Sequence, residues 1–195
     1  MIPDERRNEI LALIESGLQD FSISRSRKRA KNWGIPVPGD DKQVIYTWYD
    51  GLAIYITGVG FGYDQSEFNK WWPADIHFIG KGINRFHTVY WPAMLISAGL
   101  PIPRLVFIHG YITSGGQKMS KTLGNVIDPI EVIDHYGADA ARYYLLREVP
   151  ATKDGDFTYE RFEQLYNSDL ANGLGNLVQR VAKLCELKKF VLSTS

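Results

Sequence analysis

The sequence predicts an α/β fold built on a parallel sheet, and three observations lead there. Short apolar, β-prone runs at 44–48, 75–80 and 105–110 alternate with stretches of helix length. Strand, helix, strand, helix, strand is the order of a parallel sheet with right-handed crossovers. The 195 residues are 45% hydrophobic and 13% aromatic, which supplies a packed core and excludes a disordered tail. No internal repeat or low-complexity tract suggests a solenoid instead.

Each element follows in order. Ile10, Leu13, Ile14 and Leu18 recur at helical spacing, so residues 4–16 read as an amphipathic helix stopped by Gly17. Five cations crowd into residues 25–31 and read, Arg25 apart, as a solvated turn. Pro36 and Pro38 then forbid a helix interior. The strand at 44–48 leads into a helix to Thr57, and the strand at 75–80 into a helix over 83–98, closed by Gly99 and Pro101. After the strand at 105–110 comes a glycine- and lysine-rich loop over 114–125. Residues 129–147 read as one or two helices with a break at Gly137. Residues 156–159 read as a strand or cap before a long final helix over about 159–192, with an apolar stripe and nothing in this chain to pack a whole bundle against. Parallel sheets hold ligands beyond the carboxyl ends of their strands, so the site walls should begin near Trp48, Gly80 and His109.

Charge and cysteine content narrow the function. Lys and Arg number 22, Asp and Glu 22, so no bulk positive field coats nucleic acid or anionic membrane; any nucleic-acid contact must be local and shaped. The single Cys185 excludes internal disulfides and a cysteine zinc cluster, so no zinc site and no other metal site is expected in this chain. No apolar run approaches the ~20 residues of a membrane span, and the charged start Pro3-Asp4-Glu5-Arg6-Arg7 suits neither a secretory nor a transit peptide. A cytoplasmic protein with no membrane partner is expected.

Lysines on a flexible loop after a parallel strand suit phosphate handling, because they can neutralise charge on a leaving phosphate. A Walker A loop is one comparison, but residues 115–122 miss its second glycine, and Gly124 and Pro129 delay any helix. The better match is Lys118-Met119-Ser120-Lys121-Thr122, which resembles the KMSKS signature of class I aminoacyl-tRNA synthetases. Around it stand Trp33-Gly34-Ile35-Pro36-Val37-Pro38, Tyr46-Thr47-Trp48-Tyr49-Asp50, Trp91-Pro92-Ala93-Met94, Val106-Phe107-Ile108-His109-Gly110-Tyr111-Ile112 and Gly124-Asn125-Val126-Ile127-Asp128-Pro129. In this order, and over essentially the whole chain, they resemble the methionyl-tRNA synthetase family.

That resemblance implies the second half of a Rossmann-like sheet over 1–113, and the loop with a small α/β stem-contact region over 114–156. The start of an anticodon-binding helical bundle would occupy 157–195. It implies ATP-dependent adenylation of methionine, with magnesium accompanying ATP, and transfer to tRNA. Lys118 and Lys121 match the motif lysines and would be the catalytic cations, with Lys121 foremost at the phosphates. His109, Ile112 and Ser120 would join them around ATP. Trp48, Tyr55, Ile83, His87 and Trp91 match the methionine pocket, and aromatic walls suit a thioether. On composition alone the same aromatics would be ordinary core. Asn176 and Arg180, four residues apart on one helical face, match anticodon-facing positions; a solvated polar face is their plainer reading.

One departure stands out. The family usually carries Gly-Lys-Asp-Ile where this chain has Gly80-Lys81-Gly82-Ile83. Gly82 cannot accept from the methionine ammonium and deprives Arg25 of a partner. Either another carboxylate substitutes, with Asp50 nearest in sequence, or methionine affinity is altered. The His-x-Gly-His signature of the family is also absent from the sequence. The expectation is therefore a truncated piece, half of a split enzyme needing an N-terminal partner, or a decayed gene product. Alone it should not catalyse adenylation; the alternative is a non-catalytic tRNA- or nucleotide-binding fragment.

Overall fold

The computed structural model describes residues 1–188, in two compact units that divide between His109 and Gly110. In the first, the expected N-terminal helix forms as α1 (Asp4–Glu15), but only Ile10 of its stripe is buried, while Leu11 and Ile14 stay exposed. Strands β1 (Ser24–Ser26), β2 (Pro36–Val37) and β3 (Asp40–Ile45) follow as an antiparallel sheet in the order β1-β3-β2.

This corrects the first of the three expected parallel strands. Residues 44–48 divide: Val44 and Ile45 end β3, which is antiparallel to both neighbours, and Thr47 already opens α2 (Thr47–Thr57). The cause is local. Gly39, at φ +79°, lets the chain reverse between β2 and β3, so β3 pairs with the strand just before it. Its Asp40–Lys42 portion is exposed, as a two-sided parallel strand could not be.

Helix α3 (Gln65–Trp71) was not expected. Its start is set by Asp64, whose Oδ1 accepts from the backbone N–H groups of Ser66 and Glu67 at 3.1 Å each. The other two strands pair as expected: β4 (Ile76–Gly80) and β5 (Leu105–His109) lie parallel, in register from Ile76 with Leu105 to Gly80 with His109. Ile2 adds a parallel bridge to Phe107. The connecting helix expected over 83–98 forms, running from a 3₁₀ turn at Lys81–Ile83 through a π-helical segment at Phe86–Tyr90 directly into α4 (Trp91–Ser97). Pro92 explains the π-helical segment, since it has no N–H for the Thr88 carbonyl and its ring crowds that oxygen. Widening the preceding turn relieves both. The core of this unit gathers Leu52, Ile56, Phe68, Trp72, Trp91 and Leu95, each contributing about 2 kcal/mol by burial.

In the second unit, β6 (Ile112–Ser114) and β7 (Gln117–Lys118) form a hairpin, and β8 (Gly155–Phe157) lies parallel to β6. Gly115 and Gly116 turn the hairpin at φ +59° and +75°, a two-residue turn that glycine adopts without strain. The helical region breaks at Gly137 as expected, into α5 (Pro129–Tyr136) and α6 (Ala138–Glu148). Thr158 caps α7 (Tyr159–Leu165), which runs through a π-helical segment at Tyr166–Gly175 into α8 (Asn176–Leu187). The end of the helix expected over 159–192 falls outside the described residues. Tyr144, Phe157 and Phe162 centre this unit's core, whereas Leu177, Val178, Val181 and Leu184 of α8 are exposed. Among the described residues no helix is long and apolar enough to cross a membrane.

Candidate functional site

In the first unit α2, the π-helical segment and α4 bring Trp48, Tyr55, His87 and Trp91 into one aromatic cluster. Trp48 stacks on Phe86 at 4.2 Å and meets His87 edge-on at 6.1 Å; Tyr55 lies 5.6 Å from His87 and 6.1 Å from Trp91. The cluster has two layers. Trp91 and His87 are buried at 1% and 2% exposure, while Trp48 and Tyr55 are only partly buried and pack against the core.

Hydrogen bonding settles the state of His87. Its Nδ1 lies 3.0 Å from the Ile83 carbonyl oxygen, which can only accept, so Nδ1 carries the proton. Nε2 lies 3.0 Å from the Tyr55 hydroxyl. Burial lowers the His87 pKa, against an opposing contribution from the Ile83 bond, so the ring is neutral and Nε2 accepts the Tyr55 proton. Burial likewise raises the Tyr55 pKa. With the Tyr55 donor engaged, this wall is uncharged and polarizable, and its one buried donor without a hydrogen-bond partner is Trp91 Nε1–H among the described residues; such a wall suits a large weakly polar side chain.

Behind Tyr55 stands His77, which the sequence analysis passed over. It is 6% exposed, its ring centroid lies 4.4 Å from that of Tyr55, and its Nε2 has no hydrogen-bond partner. Burial first, and repulsion from His87 whenever that ring is protonated second, lower its pKa to about 4. The available signal was the alternation of β4, which turns His77 and Ile79 inward and Ile76 and Phe78 outward.

The carboxyl ends of β4 and β5 coincide in register, so the turn holding Gly82 and the exposed His109 leave the sheet at one edge. Gly82 is itself exposed. Arg25 donates through Nη1 to the carbonyls of Ser22 and Ser24, at 2.8 and 2.7 Å, and lies 3.6 Å above the Tyr46 ring. Among the described residues neither Arg25 nor the exposed Asp50 forms an ion pair. Arg25 is thus held by carbonyls and a ring face rather than by a carboxylate.

The second unit carries the lysine loop. Asp156 Oδ1 accepts from Thr113 Oγ1 at 2.7 Å and from Gly116 N–H at 2.8 Å, tying the hairpin to β8; these bonds lower its pKa. Asn125 stitches the loop from within: its Oδ1 accepts from Ser120 N–H at 2.8 Å, and its Nδ2 donates to the Lys118 carbonyl at 3.3 Å. Ser120 Oγ accepts from Thr122 N–H. Lys118 Nζ sits 5.3 Å above the Tyr111 ring, and the exposed Lys121 has no ion-pair partner among the described residues. Ile112 and Met119 line an apolar cleft of about 210 Å³ with Val132, Leu145 and Phe157. Asn176 and Arg180 are exposed on α8, one turn apart. The loop-ordering roles of Asn125 and Asp156 were also missed, since each acts across a separation of 5 to 43 residues. Among the described residues no three His, Cys, Asp or Glu side chains gather as a metal site.

A parallel βαβ unit followed by this lysine loop defines a class of protein, the class I tRNA synthetases. Residues 2–182 match the family described as "tRNA synthetases class I (M)", and the chain belongs to it. Within that family its relatives are methionine–tRNA ligases. It is 52% identical over 188 residues to the enzyme of Thermotoga maritima, covering 96% of this chain and 29% of that protein. With the enzyme of Brucella suis it shares 53% over 192 residues, covering 96% and 37%. Mycobacterium tuberculosis methionyl-tRNA synthetase in complex with methionyl-adenylate superposes with a TM-score of 0.85 at 47% identity, over 94% of this chain and 36% of that one. The chain spans about a third of the length of these relatives.

Proposed function

We propose that this chain is the part of a methionine–tRNA ligase that holds the methionine side chain and the leaving pyrophosphate. The observation that carries the reading is Lys121, an exposed cation without an ion-pair partner among the described residues, on a loop ordered by Asn125 and Asp156. In the whole enzyme a carboxylate oxygen of methionine attacks the α-phosphorus of ATP, and the bond from that phosphorus to the bridging oxygen breaks. The electron pair leaves with pyrophosphate. Lys121 and Lys118 neutralise that growing charge, so the protein supplies electrostatics and positioning rather than a nucleophile. The hydroxyl of the terminal tRNA adenosine then takes the methionyl group and AMP departs.

In this reading Trp48, Tyr55 and Ile83 form the wall against the thioether, with His87 and Trp91 fixing Tyr55 from inside. His109, Ile112 and Ser120 adjoin ATP, whose magnesium arrives with its phosphates. Asn176 and Arg180 face the anticodon, and the enzyme works in the cytoplasm. Phe78, 68% exposed on the outer face of β4, offers apolar surface for an N-terminal half carrying the His-x-Gly-His signature.

The test is methionine-dependent ATP–pyrophosphate exchange by this chain alone and mixed with such a half. Exchange only in the mixture is expected, and it would also show that Gly82 is tolerated. No exchange from a mixture verified as a complex would overturn the catalytic reading and leave a binding fragment, with Gly82 the first residue to restore to Asp.

A further inference from the structure

The chain has zero net charge, yet five of its 22 cations lie between residues 25 and 31, and no acid interrupts the sequence between Asp20 and Asp40. Arg27, Lys28, Arg29 and Lys31 form no ion pair among the described residues. Four neighbouring cations without counter-charges repel one another; Lys28, Arg29 and Lys31 are exposed, while Arg27 is half-buried with its Nε buried and without a hydrogen-bond partner.

The turn that carries them is nevertheless ordered. Ser26 O accepts from Ala30 N–H at 3.0 Å, Arg27 O from Asn32 N–H at 2.9 Å, and Ala30 O from Trp33 N–H at 3.0 Å, while Arg27 N–H donates to Lys42 O at 2.9 Å. Trp33 follows directly on this turn and is 71% exposed, more than any other of the five tryptophans; Trp71 is 55% exposed, and Trp72 and Trp91 are buried. Trp33 borders two adjoining open clefts. One, of about 260 Å³, also has Arg25, Arg29, Tyr46 and Thr47 in its wall; the other, of about 430 Å³, has Asn32, Ile35 and Asp50.

We propose that this turn is a single-stranded RNA binding surface, with Trp33 stacking on an unpaired base and Arg27, Lys28, Arg29 and Lys31 following the phosphates. An exposed flat ring sharing a cleft wall with Arg29, on a turn carrying three further cations, is the combination that unstacked nucleotides recognise. The concave clefts that Trp33 borders suit a base and its sugar, whereas a membrane surface would meet a convex apolar tip. Choosing RNA over another polyanion rests on the tRNA-ligase reading above. The binding itself does not, because it needs neither methionine nor ATP.

The experiment titrates the full chain into a fluorescein-labelled 12-nucleotide single-stranded RNA and follows anisotropy at several salt concentrations. Four phosphate contacts predict a slope of log K against log salt of about −3. Trp33→Ala should weaken binding about tenfold with the slope unchanged. Lys28→Gln with Arg29→Gln should bring the slope to about −1.4. All three side chains are exposed, so the variants should unfold at the wild-type temperature. Linear polyphosphate should bind more weakly than RNA and be indifferent to Trp33→Ala. Wild-type RNA affinity in Trp33→Ala, or equal affinity for polyphosphate and RNA, would reduce the patch to solvated charge and overturn the proposal. So would phosphatidylserine vesicles that lose Trp33→Ala while RNA retains it. RNA binding without exchange activity, or the reverse, tells failure of one reading from failure of the other.

Discussion

Replacing His77 by Phe should remove much of the acid sensitivity of the first unit. His77 is almost fully buried, its Nε2 has no partner, and burial aided by His87 takes its pKa from 6.5 to about 4. A histidine whose folded pKa is lowered binds its proton more readily in the unfolded chain. Its stabilising contribution is therefore complete above pH 6.5 and falls away as pH drops toward 4. One proton corresponds to about 1.4 kcal/mol per pH unit, so His77 alone should cost about 2 kcal/mol between pH 6.5 and 5. His87 acts in the same direction, since its pKa is lowered too. Glu148, Asp156 and Asp169, whose pKa values are lowered, lie in the other unit and lose their contribution only below about pH 4.

All five tryptophans belong to Met1–His109, so their fluorescence reports that unit in urea titrations at pH 7, 6 and 5. The readout is the stability lost between pH 7 and pH 5, which should be about 2 kcal/mol smaller in His77→Phe than in wild type. Any constant change from repacking cancels in that difference. His77→Gln, polar but non-titrating, should behave alike. If both variants lose as much stability as wild type between pH 7 and 5, the assignment of that acid sensitivity to His77 is wrong.

Two further outcomes follow from the loop. Lys121→Ala, in this chain combined with the N-terminal half, should lower kcat for ATP–pyrophosphate exchange by about 10²–10³ while the KM for methionine changes little. Equal damage to both would rule out a leaving-group role. Asp156→Ala removes the acceptor for Thr113 Oγ1 and Gly116 N–H. Because that carboxylate is exposed, the loss should be only about 1 kcal/mol, seen as roughly fivefold faster amide exchange at Gly116. Unchanged exchange would mean the β6–β7 turn holds itself.

The sequence by itself determined whatever depends on neighbours along the chain. Helix spacing, the break at Gly137, the strands before Gly80 and His109 and the Lys118–Thr122 signature are local patterns, and each was legible. Pro92 was legible too, but its effect on the turn before it depends on how far the helix axis can widen, which residue type does not state. Pairing partners were another matter. Residues 44–45 have the composition of a buried parallel strand, and only the reversal at Gly39 decides that they pair antiparallel with β1 and β2. Side-chain roles across long separations needed the tertiary structure most. His77 meets Tyr55 from a different element, Asp156 reaches back 40 residues to Gly116, and Arg25 rests on Tyr46 rather than on a carboxylate. Burial and hydrogen-bond partners are properties of the folded arrangement, and they decide which of several chemically able residues is neutral, tied down or free to act.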